Sequence, residues 1–284
     1  MTEGLNIVVC IKQVPDSAQI GVDPKTNTIM RQGVPTIINP YDLYALEAAL
    51  ALRDQVGGRV TVLTMGPPMA KEALRKAIGH GADDAVLLSD RFFAGSDTLA
   101  TSAVLAAAIT RLGADRPVDL VVTGKQTIDG DTAQVGPGIA QRLGLSQLTY
   151  VAEIPELEPA RGEITTHRRA EGGLQVLSSR MPALITVLDG GHTLRRGALP
   201  DVLRAQRVEI PTWDAEAIGL DTGTCGLRGS ATKVVKMFAP QPSSARAAFV
   251  DGEDADGQAS AAIGQLLETN PELTDLLGAH GRQA

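Results

Sequence analysis

Leu120-Val121-Val122-Thr123 runs directly into Gly124-Lys125-Gln126-Thr127-Ile128-Asp129-Gly130-Asp131-Thr132-Ala133-Gln134-Val135-Gly136-Pro137-Gly138, and this stretch decides the architecture. A short β-branched run followed by a glycine-rich segment and a helical pattern is a strand-loop-helix unit. Here the helix is expected over Thr132 to Leu143, capped by Asp131 and ended by Gly144. The same rhythm surrounds it. Ile7 to Ile11, Val60 to Thr64, Ala85 to Leu88 and Ala183 to Leu188 read as buried strands, while Tyr41 to Arg53, Met69 to Ile78 and Thr98 to Leu112 read as helices. Alternation of this kind predicts an α/β fold, a mostly parallel sheet with helices on both faces. Its ligand then sits beyond the carboxyl ends of the strands.

After Gly144 the pattern changes to an antiparallel extension, with strands expected over Leu148 to Ile154, Glu163 to Arg169 and Leu174 to Ser178, the last two joined through Gly172-Gly173. From about Arg195 the regularity fades. Residues 1–194 are accordingly expected to form a nucleotide-binding α/β domain, and residues 195–284 a C-terminal arm that includes Pro240, Pro242 and the acidic cluster Asp251, Glu253, Asp254 and Asp256. An amphipathic stretch over Ala261 to Leu267, with Leu273, Leu276 and Leu277, predicts one or two short helices. An arm without its own core needs another surface to cover it, or else is a mobile tail.

A net charge of −7 across 284 residues, with no basic stripe, argues against nucleic acid as a partner. No run of about eighteen apolar residues offers a direct membrane span, and the start carries no signal-peptide core, so a cytoplasmic location is expected. Cys10 lies in an apolar run and Cys225 in a distant glycine-rich one, the pattern of reduced structural thiols. The four histidines, His80, His167, His192 and His280, lack ligand spacing, and no metal site is assigned.

Chemistry concentrates in Gly124 to Gly138. A helix start carries about half a positive charge and unsatisfied N–H donors, so a pyrophosphate fits there, with Gly130, Ala133, Gly136 and Gly138 allowing close approach. The Gly-Lys pair is not a phosphate-binding loop of the Walker type, because Gln126 replaces the required Ser or Thr and Asp119 stands at the earlier glycine position. A tight turn with a capping aspartate explains the same residues equally well. In Ile38-Asn39-Pro40-Tyr41-Asp42, Asn39 reads as a helix cap, Pro40 as a first-turn residue and Asp42 as a dipole partner, which leaves Tyr41 unexplained. Asp16 and Asp23 flank a polar loop after the first strand, and Thr64-Met65-Gly66 ends the second at the same edge.

Ile7 to Val14, Asn39 to Asp42 before an Ala-rich helix with Glu47, Gly79-His80-Gly81-Ala82-Asp83, Gly124 to Gly138, Glu171-Gly172-Gly173, Leu199-Pro200-Asp201 and Lys233-Val234-Val235 together resemble electron transfer flavoprotein beta subunits, in order and spacing and over most of the chain. The similarity is greatest to the FixA-like, bifurcating branch associated with nitrogen fixation. It implies a Rossmann-like, adenine-nucleotide-binding sheet.

By that resemblance, adenosine meets Cys10, Asn39, Pro40, Tyr41, Asp42 and Met65, while phosphates meet Gly124, Lys125, Gln126, Thr127, Asp129, Gly130, Asp131, Thr132, Ala133, Gln134, Val135 and Gly136. Conventional members hold AMP there as a structural element. FixA-like members hold FAD, which accepts hydride from NADH and parts the electrons between a ferredoxin or flavodoxin and the FAD of a FixB-like alpha subunit. From there electrons pass to a FixC-like quinone reductase with its ferredoxin-like FixX, and any membrane association runs through such a partner. Leu199 is implied to lie on a partner-recognition loop. A non-redox nucleotide-binding module is the remaining alternative.

Overall fold

Strands that are apolar on both faces require cover on both faces, and the chain supplies it with helices of Ala-rich, helix-favouring sequence. A computed structural model describes residues 4–16, 35–235 and 249–273. In chain order come β1 (Leu5–Cys10), β2 (Gln13–Pro15), β3 (Thr36–Ile38), α1 (Pro40–Val56), β4 (Gly58–Met65), α2 (Lys71–Gly79), β5 (Asp84–Leu88), α3 (Thr98–Leu112), β6 (Leu120–Gly124) and α4 (Val135–Leu143). There follow β7 (Ser146–Glu158), β8 (Glu163–Ala170), β9 (Gly173–Arg180), β10 (Ala183–Val187), α5 (Leu199–Arg207), β11 (Thr212–Trp213), α6 (Gly226–Gly229) and α7 (Ala255–Thr269).

The main sheet has the order β11-β5-β4-β1-β6-β10-β7-β8-β9. Its centre, β1, pairs in parallel with β4 on one side and β6 on the other. The chain therefore builds one half of the sheet outward, then returns to build the other, and right-handed crossovers in opposite directions put α1 and α2 on one face and α3 and α4 on the other. The period-2 alternation of each strand serves both layers. Ile7, Val9, Leu120, Val122 and Ile185 pack with Leu46, Leu50 and Leu74 of the first pair, whereas Val8, Cys10, Val121 and Leu184 pack with Val104, Ile109 and Ile139 of the second. Beyond β10 the sheet turns antiparallel, β7 to β8 to β9, with Gly172 and Gly173 at φ 82 and 151 making the last turn. A separate two-stranded pair, β2 with β3, brings the chain after β1 against the entry to α1.

Three sequence expectations are corrected. Helix α4 starts at Val135, not Thr132: Asp131 and Ala133 are left-handed (φ 53 and 54), which breaks the right-handed turn, and the cap position falls to Gln134 without a side-chain cap bond. Asn39 stands at the cap position of α1 but makes no cap bond either, because its amide is used elsewhere. And the described chain that follows Arg195 directly is not irregular. α5 packs on α2, with Arg75 donating to the carbonyls of Ala205 and Val208 at 3.1 and 3.2 Å, and β11 adds to β5 with Trp213 opposite Leu88.

The chain divides into two compact units, Met1–Phe238 and Ala239–Ala284, so α5, β11 and α6 belong to the first. In the second, α7 is capped by Asp254, which accepts from Gly257 N at 2.8 Å, and buries none of its side chains. Asp23, Pro240, Pro242, Leu276 and Leu277 lie outside the described residues. Among the described residues no helix is long and apolar enough to cross a membrane.

Candidate functional site

The strand order reverses between β1 and β6, and at such a switch point α/β sheets bind ligands in the crevice beyond the carboxyl ends of the strands. Cys10 ends β1 and Gly124 ends β6, with α1 entering between them. A Cβ on Gly124 would stand 2.7 Å from the Tyr41 carbonyl carbon and clash with the Asp42 carboxylate, so this glycine exists to let the first turn of α1 press on the strand end. Gly136 and Gly138 have the same cause. Added Cβ atoms would meet Thr123 Oγ1 and Thr186 Cγ2 at 2.9 Å, and Ser102 Oγ at 2.8 Å, respectively. Gly130 differs: its Cβ would meet only Thr127 Oγ1, at an ordinary 3.4 Å.

Asn39 is fully buried and sews the two loops together, donating from Nδ2 to the Gln126 carbonyl at 2.8 Å and accepting from Ile128 N at 3.1 Å. Asp42 is buried beside it and accepts from Lys12 N at 2.7 Å. Burial pushes the Asp42 carboxyl up to about 7, against the pull of the Asn39 amide, the Lys12 and Gly124 N–H groups and the Lys12 charge. Burial first, and the Asp42 charge second, push the Cys10 thiol up to about 12, so it is a protonated, inert floor residue.

The two acidic residues that stand against an anion here are both engaged. Lys12 Nζ pairs with Asp129 at 2.7 Å, and the Gln126 amide donates to Asp131. Lys125 screens neither of them. Its ammonium instead lies over two rings, 5.5 Å from the centroid of Tyr41 and 5.6 Å from that of Tyr150, and makes no ion pair among the described residues. Past Asp131, left-handed Ala133 precedes right-handed Gln134 and the first turn of α4. Turns of this kind gather N–H groups into an anion-binding concavity. Thr132 lies inside this turn, and Gln134 is tied to α3 by Thr98 Oγ1 at 2.9 Å.

Thus Asn39 to Asp42 and Gly124 to Asp131 form one bonded cluster, with Cys10 at the end of the neighbouring strand, while Thr132 to Gly136 lead from it into α4. Met65 ends β4, packs with the cluster that contains Cys10, and follows Thr64, whose buried hydroxyl has no partner among the described residues. Leu199 is not in this cluster. It is the first residue of α5, 70% exposed, on a helix end where a loop was expected. Sequence reasoning missed Lys12, legible only as part of a longer matching stretch, and Tyr150, which no local signal marked. A cavity of about 370 Å³, lined by Asn6, Arg59, Asp84 and Arg116 among others, is at the amino end of the strands and has no part in this site.

A doubly covered, mostly parallel sheet whose loops are tied together at its switch point defines a doubly wound α/β protein. Residues 26–218 match the family described as the electron transfer flavoprotein domain, and the chain belongs to that family. It is 60% identical over 280 residues to Protein FixA of Azorhizobium caulinodans, covering 98% of this chain and 99% of that one. It is 44% identical over 268 residues to the electron transfer flavoprotein subunit beta of Megasphaera elsdenii (93% and 97%), and 43% identical over 265 residues to the caffeyl-CoA reductase-Etf complex subunit CarD of Acetobacterium woodii (93% and 98%). Within the family the chain is a beta-type subunit of the FixA-like branch.

Proposed function

We propose that this subunit binds FAD in the crevice beyond β1 and β6, takes electrons from NADH, and delivers them singly to a ferredoxin or flavodoxin and, through the FAD of a FixB-like alpha subunit, towards a FixC-like quinone reductase with its FixX. The observation that carries this reading is Gly130. Of the glycines around the crevice, Gly124, Gly136 and Gly138 are required by the protein's own packing, whereas a Cβ on Gly130 would meet only Thr127 Oγ1, at an ordinary contact distance of 3.4 Å. That room suits a nucleotide longer than AMP.

The chain's own groups divide the work. Ala133, Gln134 and the first turn of α4 offer N–H donors to phosphate oxygens, and Lys125 adds a cation that makes no ion pair among the described residues. Asn39 and Asp42 hold the two loops at fixed spacing, and Lys12 and Gln126 keep Asp129 and Asp131 occupied. When bound, FAD supplies hydride acceptance and one-electron release; the protein positions it and tunes it. No residue in the cluster is required as acid or base.

The alpha-type partner is supported by exposed apolar side chains: Leu199 at the head of α5, and Ile263 and Leu266 on α7, which are 59% and 54% exposed. The test is a flavin count. The co-purified heterodimer should contain two FAD, and Gly130→Glu should lose one selectively and abolish reduction by NADH. One FAD with one AMP, and no reaction with nicotinamide, would replace this reading with that of a conventional carrier.

A further inference from the structure

We propose that Tyr150 is a positioning residue of the nucleotide site: with Tyr41 it clamps the Lys125 ammonium between two rings and presents that charge to the phosphates of an adenine nucleotide. The inference rests on the crevice being the nucleotide site.

Three linked features mark Tyr150. It is a non-glycine residue at φ 58 within a strand, a conformation that costs free energy and persists where the surroundings fix it. It also sits in a bulge. Ile185 is opposite Leu148 and Val187 opposite Val151, so β7 carries one more residue than β10 across the same step. The backbone N–H so displaced donates to Thr186 Oγ1 at 3.0 Å. Thr186 in turn lies against Gly136 at the start of α4, so the side chain that anchors the bulge also floors the phosphate turn.

The bulge turns Tyr150 to the Lys125 ammonium, which Tyr41 meets from the head of α1. Strand end, helix start and bulge thus each contribute one member. A lysine between two ring faces gains electrostatic attraction without neutralisation, so its full charge remains for an anion. A carboxylate in either ring's place would cancel that charge. With its rotamers restricted in advance, the long side chain also loses less freedom when a phosphate arrives.

The test uses the heterodimer with this site emptied, titrated with AMP, ADP and adenosine by calorimetry. Tyr150→Leu keeps apolar bulk but removes the ring face and should weaken AMP and ADP about fivefold, leaving adenosine unchanged. Tyr150→Phe should restore wild-type affinity, and the salt dependence of AMP binding should be shallower in the Leu variant alone. If Tyr150→Leu does not fold, Tyr150→Ala is read by the same ratio of AMP to adenosine affinity. Equal behaviour of the Leu and Phe variants, or equal losses for AMP and adenosine, overturns the clamp. A wild-type protein that binds none of the three overturns the nucleotide site and the clamp with it.

Discussion

Asp42 combines two demands that pull in opposite directions. Its burial disfavours the charged form, while the N–H groups of Lys12 and Gly124 and the Asn39 amide favour it, and burial wins. The folded carboxyl titrates at about 7 against an ordinary 3.8, so the folded state binds this proton more tightly than the unfolded chain. Its contribution to stability is therefore fully present below about pH 4 and is lost as pH rises through about 7. In urea titrations across that window, wild type should lose on the order of 3–4 kcal/mol relative to Asp42→Asn, which cannot ionise. Parallel stability curves for the two proteins would show that Asp42 does not titrate there.

At the scale of elements, one ion-pair cluster fastens the chain before α5 to α1. Arg195 donates from Nη2 and Nε to Glu47 at 2.8 and 2.9 Å, its backbone N–H bonds the same carboxylate at 3.0 Å, and Nη1 reaches Asp54. The Glu47 bonds hold the guanidinium protonated well above its ordinary range. Glu47 is buried, so Arg195→Ala should cost on the order of 2–3 kcal/mol by stranding a carboxylate, and Glu47→Gln in the same chain should recover part of it. Additive losses in chemical denaturation would contradict that coupling.

Neither this cluster nor α5 was legible in the sequence. The stripe of α5 is too short to read, with only Ala205 buried, and the pairing of residues 148 apart leaves no local mark. The parallel strands other than β11 were legible, because burial on both faces forces apolar runs such as Ile7 to Ile11. So was α3, whose Asp97 cap accepts from Ala100 N at 3.0 Å. The loops of the candidate site were legible where they follow strands, but the contacts that lock them were not. Asn39 looked like a cap because the cap position and the partner loop are distant in sequence, and Tyr150 belongs to a bulge that only strand pairing creates.

Each unit of the molecule leaves apolar side chains exposed, the first Leu199 at the head of α5 and the second Ile263 and Leu266 on α7. Such exposure is the mark of a subunit. Leu199→Ala truncates a side chain that caps no helix and fills no core, so cofactor content and thermal midpoint should stay at wild-type values in the heterodimer. Electron delivery to a downstream dehydrogenase or quinone reductase should fall about tenfold, the effect of removing one interface anchor. Stopped-flow transfer rates equal in both proteins would remove Leu199 from the recognition surface.

Helix α1 runs unbroken from Pro40 to Val56. Its first turn meets the crevice through Asn39, Tyr41 and Asp42, and two turns later Glu47 holds Arg195, four residues ahead of Leu199. At 1.5 Å of rise per residue, Asn39 and Glu47 stand about 12 Å apart along one axis. That interval is a ruler cut into the backbone: a helix neither stretches nor slips, so the crevice and the root of α5 keep step with each other whatever the intervening loops do.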